Sequence, residues 1–201
     1  MMKHLDGWMK MKTLIINGSP KKNGDIAALL AAFRTHLSGE VKEVSCHDSI
    51  SPCLDCRYCW KKSGCAVQDG MQEIYAYLEE CDNIVLASPV WFSSLSGPML
   101  NIASRFQTIY AGKYIRKDRK AEKARNGVLI LAGGDPGTER AAAQSAKIIL
   151  RLLNVDLPCA EIYSMNTDRL PAGKDRRALT EARNAANTLN ARCGKDVSGR
   201  L

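Results

Sequence analysis

TLIINGSPKKNGDIAALLAAFRTHL, residues 13–37, holds a complete strand–loop–helix unit. Thr13–Asn17 is a short apolar run of the kind that forms a buried strand. From Ile26 onward the apolar residues fall at Ile26, Leu29, Leu30, Phe33 and Leu37, the spacing of one helix face. The residues between them, GSPKKNG, therefore join a strand end to a helix N-terminus. Amides without helical partners and the positive end of the helix dipole suit a phosphate at such a junction. Gly18 and Gly24 permit close backbone approach, Ser19 offers a hydroxyl, and Lys21 and Lys22 offer charge. A plain turn with a helix cap accounts for Gly and Ser alone; the lysines and the preceding strand favour a phosphate. The loop has neither the G-x-G-x-x-G dinucleotide pattern nor the P-loop pattern of nucleotide hydrolases.

Outward from this unit the same alternation recurs. Glu40–Cys46 alternates like a strand with one polar face, and Met71–Glu80 carries Met71, Ile74 and Leu78 on one helical side. Asn83–Ala87 and Gly127–Ala132 are continuous apolar strands. One helix is predicted through Met99, Leu100, Ala103, Phe106 and Tyr110, and another ends near Leu153. Asp156–Ile162 is the fifth strand and Asp175–Arg192 the last helix. Five strands alternating with helices imply an α/β fold, a parallel sheet covered on both faces. Ligands of such sheets bind at the carboxyl ends of the strands. Three loops there are unusual: residues 17–24, SPVWFSSLSG at 88–97, and residues 133–138, which begin GGDPG. Trp91 and Phe92 offer flat walls, or else core or interface packing. The third loop's glycines leave room for a ring edge. A phosphate cradle and two ring-sized walls describe a site for a phosphorylated aromatic cofactor.

A fourth segment, PCLDCRYCWKKSGC at 52–65, places Cys53, Cys56, Cys59 and Cys65 at C-x2-C-x2-C-x5-C spacing. Such runs commonly supply the thiolates of iron–sulfur clusters. Structural zinc more often takes two separated pairs. Buried unliganded thiols are the plain alternative.

The chain has 201 residues and a formal net charge of +8. That length suits one domain with a full core, and its apolar runs fall short of the ~20 residues that span a bilayer. No secretory pattern opens the sequence, so a reducing cytoplasm is expected, where clustered cysteines read as metal or redox groups. Seven basic residues lie in KYIRKDRKAEKAR, residues 113–125. That stretch is read as a solvated connection, with an acidic electron-transfer partner or a dinucleotide phosphate as alternatives. No motif or interleaved aromatics point to nucleic acid.

In combination, the GSPKKNG loop, the compact cysteine run, DGMQEI at 69–74, and the SPVWF loop with its SLSG helix start resemble the NADPH-dependent FMN reductase branch of the flavodoxin-like superfamily. Within that branch they resemble the iron–sulfur flavoproteins. The resemblance spans residues 11–165. It implies a flavodoxin-like three-layer α/β/α sandwich with a five-stranded parallel sheet in the order 2-1-3-4-5. A single domain over 11–193 is expected, with 1–10 as an N-terminal extension and 194–201 as a flexible tail. FMN is the implied cofactor. Its phosphate maps to Ser19, Lys21, Asn23, Gly24, Asp25 and Ile26, and its isoalloxazine to Pro89, Val90, Trp91, Phe92, Gly133 and Gly134. Cys53, Cys56, Cys59 and Cys65 map to the ligands of a [4Fe-4S] cluster. Where the family has Asn-Thr after the loop glycine, this chain has Asp25 and Ile26. Asp25 is a favoured N-cap there, and its carboxylate opposes a phosphate.

The function implied is an FMN-dependent NAD(P)H oxidoreductase passing electrons to a quinone, flavin or other small acceptor, assembled as a homodimer or homotetramer. No acid–base residue is assigned, since His4, His36 and His47 lie outside the candidate loops. Two alternatives stand: an electron-transfer protein with a ferredoxin-like partner, and a cofactor-free thiol redox sensor.

Overall fold

The computed structural model describes residues 10–119 and 123–193. The expected extension, but for Lys10, and the expected tail lie outside the described residues. The chain runs β1 (Lys12–Asn17), α1 (Asp25–Arg34), β2 (Glu40–Ser45), α2 (Tyr58–Lys61), α3 (Met71–Glu80), β3 (Asn83–Trp91) and β4 (Ser94–Leu95). It continues with α4 (Gly97–Ser104), α5 (Gln107–Tyr110), a π-helical turn (Ala111–Arg116), β5 (Asn126–Gly133), α6 (Glu139–Leu152), β6 (Ala160–Met165), a 3-10 turn (Ala172–Lys174) and α7 (Arg176–Cys193).

The five long strands pair in parallel in the order β2-β1-β3-β5-β6. With the two-residue β4 set aside, this is the expected 2-1-3-4-5 order. β4 pairs antiparallel with the end of β3. Alternation along each strand divides the core in two. Ile15, Val85, Val128 and Ile130 pack with α1 and α7, while Leu14, Ile16, Leu86, Leu129 and Leu131 pack with α3, α4 and α6. Central strands buried on both faces explain their unbroken apolar character. Strand order reverses between β1 and β3, so the crevice of this sheet opens beside their carboxyl ends.

Four expectations are corrected. β3 runs on to Trp91, because β4 folds back on it. The fifth long strand begins at Ala160, not Asp156. The helix read through Tyr110 breaks after Ser104. There the Ser104 hydroxyl bonds back to the Asn101 carbonyl at 2.7 Å, and the Tyr75 hydroxyl donates to the Arg105 carbonyl at 2.9 Å. The basic stretch is not simply solvated. Lys113 donates to the Leu152 carbonyl, Arg116 pairs with Asp118, Arg119 with Glu79 and Lys123 with Asp82. Arg125 is buried and donates to the Leu153 carbonyl at 3.1 Å. Lys113 and Arg119 thus tie the segment to α6 and α3, and Lys123 ties it to the turn before β3.

Candidate functional site

The three strand-end loops converge on one cleft of about 390 Å³. Ser19, Lys21, Gly24, Asp25 and Ile26 line one end; Pro89, Val90 and Trp91 form a wall; Gly133 and Gly134 lie opposite. The first loop is fixed before any ligand arrives. The Gly18 amide donates to the Ala87 carbonyl at 2.9 Å, and the Ser19 amide to the Asn17 side chain at 2.9 Å. Ser96 caps α4, accepting from the Met99 amide at 3.2 Å, while its hydroxyl donates to the Gly18 carbonyl at 2.7 Å. Gly18 is required by packing: an added Cβ would stand 2.4 Å from the Met99 Cβ.

At α1 the first helical bond runs from the Ala28 amide to the Gly24 carbonyl, at 3.0 Å. The amides of Asp25 and Ile26, residues that line the cleft end, fall outside the helix's own ladder. The N-cap is Gly24, not Asp25, and no side chain caps this helix. The Asp25 carboxylate instead accepts from the Ala172 amide at 2.8 Å, fastening α1 to the 3-10 turn before α7. Two expected cleft residues do not line it. Asn23 is exposed on the loop. Phe92 stands fully exposed on the β3–β4 hairpin tip. Both tip residues are left-handed, Phe92 at φ 51° and Ser93 at φ 58°. That is the backbone of a two-residue type I′ hairpin, and it turns Phe92 away from the cleft that Trp91 lines. Thr167 and Asp168, after β6, complete the lining and carry no motif.

The cysteine run builds a second cavity, of about 300 Å³, on the outer side of α4 and α5. Cys53, Cys56, Cys59 and Cys65 all line it, with Arg105. The C-terminal end of α4 holds both ends of the loop. The Cys53 amide donates to the Ser104 hydroxyl at 2.9 Å. Arg105, with a fully buried side chain, donates to the Ser51 carbonyl at 2.8 Å, the Val67 carbonyl at 3.2 Å and both Asp69 oxygens at 2.6 and 3.1 Å. Burial alone would raise the Asp69 carboxyl; the guanidinium and the Ser51 and Met71 amides hold it below the usual carboxylate range. Burial, then the neighbouring cysteine sulfurs, push the Cys59 thiol up. Left-handed residues Asp55 and Arg57 flank Cys56. Such turns aim successive amides at anions and recur at Fe–S sites.

Residues 11–165 match the family described as NADPH-dependent FMN reductase. The chain belongs to the NADPH-dependent FMN reductase family. Two iron-sulfur flavoproteins of Methanocaldococcus jannaschii are similar to it. One is 33% identical over 129 residues, 62% of this chain and 63% of the relative. The other is 29% identical over 110 residues, 53% of this chain and 57% of the relative. The chain thus spans about three fifths of the length of these curated relatives. The fold is shared with an NAD(P)H:quinone oxidoreductase from Methanothermobacter marburgensis, at TM-score 0.71 and 15% identity, over 90% of this chain and 98% of that one.

The cleft suits the cofactor that the FMN reductase family is named for. Its volume lies in the range of small-molecule sites. A Cβ on Gly133 would stand 2.8 Å from Met165 Cε and 3.2 Å from Val90 Cβ, so this glycine keeps the gap between two walls open. The second cavity has the donor chemistry of a sulfur-rich anion. It collects four thiols and a buried guanidinium whose Nε has no partner among the described residues. The thiols are not drawn into a metal-ligating group, and among the described residues no cluster of three or more candidate ligands is close enough to hold one ion. Four thiols that line one cavity supply the donor set that Fe–S clusters use. Sequence reasoning missed Arg105; its one signal is a charge set between Ile102 and Phe106 on an apolar helix face.

Proposed function

We propose that this protein is an FMN-dependent NAD(P)H oxidoreductase that passes electrons to a quinone, flavin or other small acceptor. The observation that carries this reading is the convergence of three strand-end loops on one cleft. FMN in that cleft would accept hydride from NAD(P)H and release electrons to the acceptor, and the protein supplies position and electrostatics. The first-turn amides of α1, the Ser19 hydroxyl and Lys21 would bind the phosphate. Gly133 and Gly134 would admit the ring edge, and Pro89, Val90 and Trp91 would cover a ring face. Trp91 is partly exposed, so the wall it forms leaves an entry for a second flat molecule.

The four loop cysteines would hold a [4Fe-4S] cluster that stores and relays single electrons. A second reading, an electron-transfer protein with a ferredoxin-like partner, is favoured by one observation. Leu54, Tyr58 and Trp60 are exposed around the cysteine cavity, and Cys56 is exposed within it, so electrons could leave at this surface. A cytoplasmic location and a homodimer or homotetramer accompany either reading.

Titrating apoprotein with FMN and with riboflavin tests the cleft. FMN is expected to bind at least tenfold more tightly, and equal affinities would remove the phosphate site. Steady-state NADPH oxidation by anaerobically purified protein, with a quinone present, separates the two readings. Turnover supports the oxidoreductase. Its absence, with flavin and iron both bound, supports the electron carrier.

A further inference from the structure

Arg105 heads the fully buried side chains of the described residues by volume. An arginine that only fastened the cysteine loop would need Ser51, Val67 and Asp69. This one does more: its Nη2 also lies 3.5 Å from Cys65 Sγ, and its Nε is buried with no partner among the described residues. The same guanidinium lines the cavity that the four cysteines surround. The Nη2 group is thus shared among the Asp69 carboxylate, the Val67 carbonyl and the Cys65 sulfur, and it presents positive charge to all three.

We propose that Arg105 sets the electron affinity of the cysteine-loop centre, acting as the fixed cation beside the Cys65 sulfur with Asp69 as the counter-charge that limits its effect. The inference rests on the cluster reading above. The potential of an Fe–S centre follows its net charge, the hydrogen bonds to its sulfurs and its exposure to solvent. One electron added to the centre raises its negative charge by one; no bond breaks and no proton is needed. A cation at hydrogen-bond range of a ligand sulfur stabilises that added charge. A guanidinium stays protonated throughout the working pH range, so its effect does not switch off. Arg105 is a positioning residue in this account: it touches a ligand, not the substrate.

Three variants test this: Arg105→Gln, Arg105→Lys and Asp69→Asn. Iron and acid-labile sulfide are measured first in anaerobically prepared protein. The midpoint potential is then read by EPR-monitored titration with dithionite as the electron source. Arg105→Gln is expected to weaken one-electron uptake at least tenfold, which is about 59 mV lower for a one-electron couple. Arg105→Lys is expected to recover most of that loss. Asp69→Asn is expected to shift the potential the opposite way, because it removes the counter-charge and leaves the cation. A purely structural arginine would not give opposite signs in its two halves. Equal or same-signed shifts in iron-loaded Arg105→Gln and Asp69→Asn would overturn the proposal and leave the cluster reading intact. Where Arg105→Gln fails to retain iron, the signs of Asp69→Asn and Arg105→Lys decide. Loss of iron in all three variants assigns Arg105 a structural role and overturns the proposal. Wild-type protein without iron or sulfide overturns the cluster reading and the proposal together.

Discussion

At the scale of single residues, Asp25 changes role between the sequence and the structure. As a carboxylate after a loop glycine it reads as an N-cap that competes with phosphate. In the fold Gly24 is the cap, and Asp25 accepts from the Ala172 amide while still lining the cleft. Two variants separate these roles. Asp25→Asn keeps an acceptor and removes the charge, so FMN affinity is expected to rise several-fold at low ionic strength and less in high salt. Asp25→Ala removes the acceptor too and is expected to cost about 1 kcal/mol of stability, read by chemical denaturation. Dissociation constants at two salt concentrations check the first; an unchanged affinity at low salt would separate Asp25 from the phosphate. Gly18 makes a harder constraint. Its missing Cβ would stand 2.4 Å from Met99 Cβ and 2.9 Å from Met99 Cα, and a backbone atom cannot swing aside. Gly18→Ala is expected to destabilise by about 1–3 kcal/mol and to weaken FMN binding, because the loop must move off α4. Gly18, Ser19 and Gly24 were legible in the sequence because a strand end, glycines and a helix start are local features. Asp168 was not, because no local pattern tells that the residues after β6 turn back over Gly134.

At the scale of elements, the β3–β4 hairpin shows where local reading stops. SPVWFSSLSG was read as a loop with two cofactor aromatics. It contains a strand extension, a two-residue turn and a short return strand. Pairing across the turn, Val90 with Leu95 and Trp91 with Ser94, cannot be seen in a run without Asn-Gly or Gly-Gly at the turn. Phe92 and Ser93 hold left-handed backbone that their side chains disfavour. Replacing the pair by Asn-Gly is expected to raise stability by about 1–2 kcal/mol, measured as a shift in thermal midpoint. FMN affinity is expected to stay within about twofold, since Phe92 does not line the cleft. A large loss of FMN would return Phe92 to the site. The helix that stops at Ser104 teaches the same point. Its apolar period runs on through Phe106 and Ile109, so the break shows only in the back-bond of the Ser104 hydroxyl to Asn101 and in the tertiary hydrogen bond from Tyr75.

At the scale of the molecule, sheet order and two-sided core were legible because strand–helix alternation with unbroken apolar strands admits few topologies. The division of the charge was not. A net charge of +8 suggests an anionic partner, yet Arg116, Arg119, Lys123 and Arg105 each meet a carboxylate within the fold. The Arg105–Asp69 pair makes stability depend on pH with a definite sign. The native Asp69 carboxyl lies below its ordinary range, so its contribution is complete above the unfolded value near ~4 and is lost as pH falls through the lower native value. Thermal midpoints are expected to be flat from about pH 7 to 5 and to fall below about pH 4. Asp69→Asn is expected to lower the plateau and flatten part of the acid fall; an identical acid profile would detach the pair from stability. Finally, α4 seats the phosphate loop at its first turn through Ser96 and the cysteine loop just past its last turn through Arg105. Eight helical residues at ~1.5 Å each make it a ruler about 12 Å long. Drift in length, which surface connections absorb, is barred to this helix: one added residue turns the far seat by ~100° and swings the thiols to another side. Only whole turns keep both seats facing as they do, and each would move the two loops about 5.4 Å further apart.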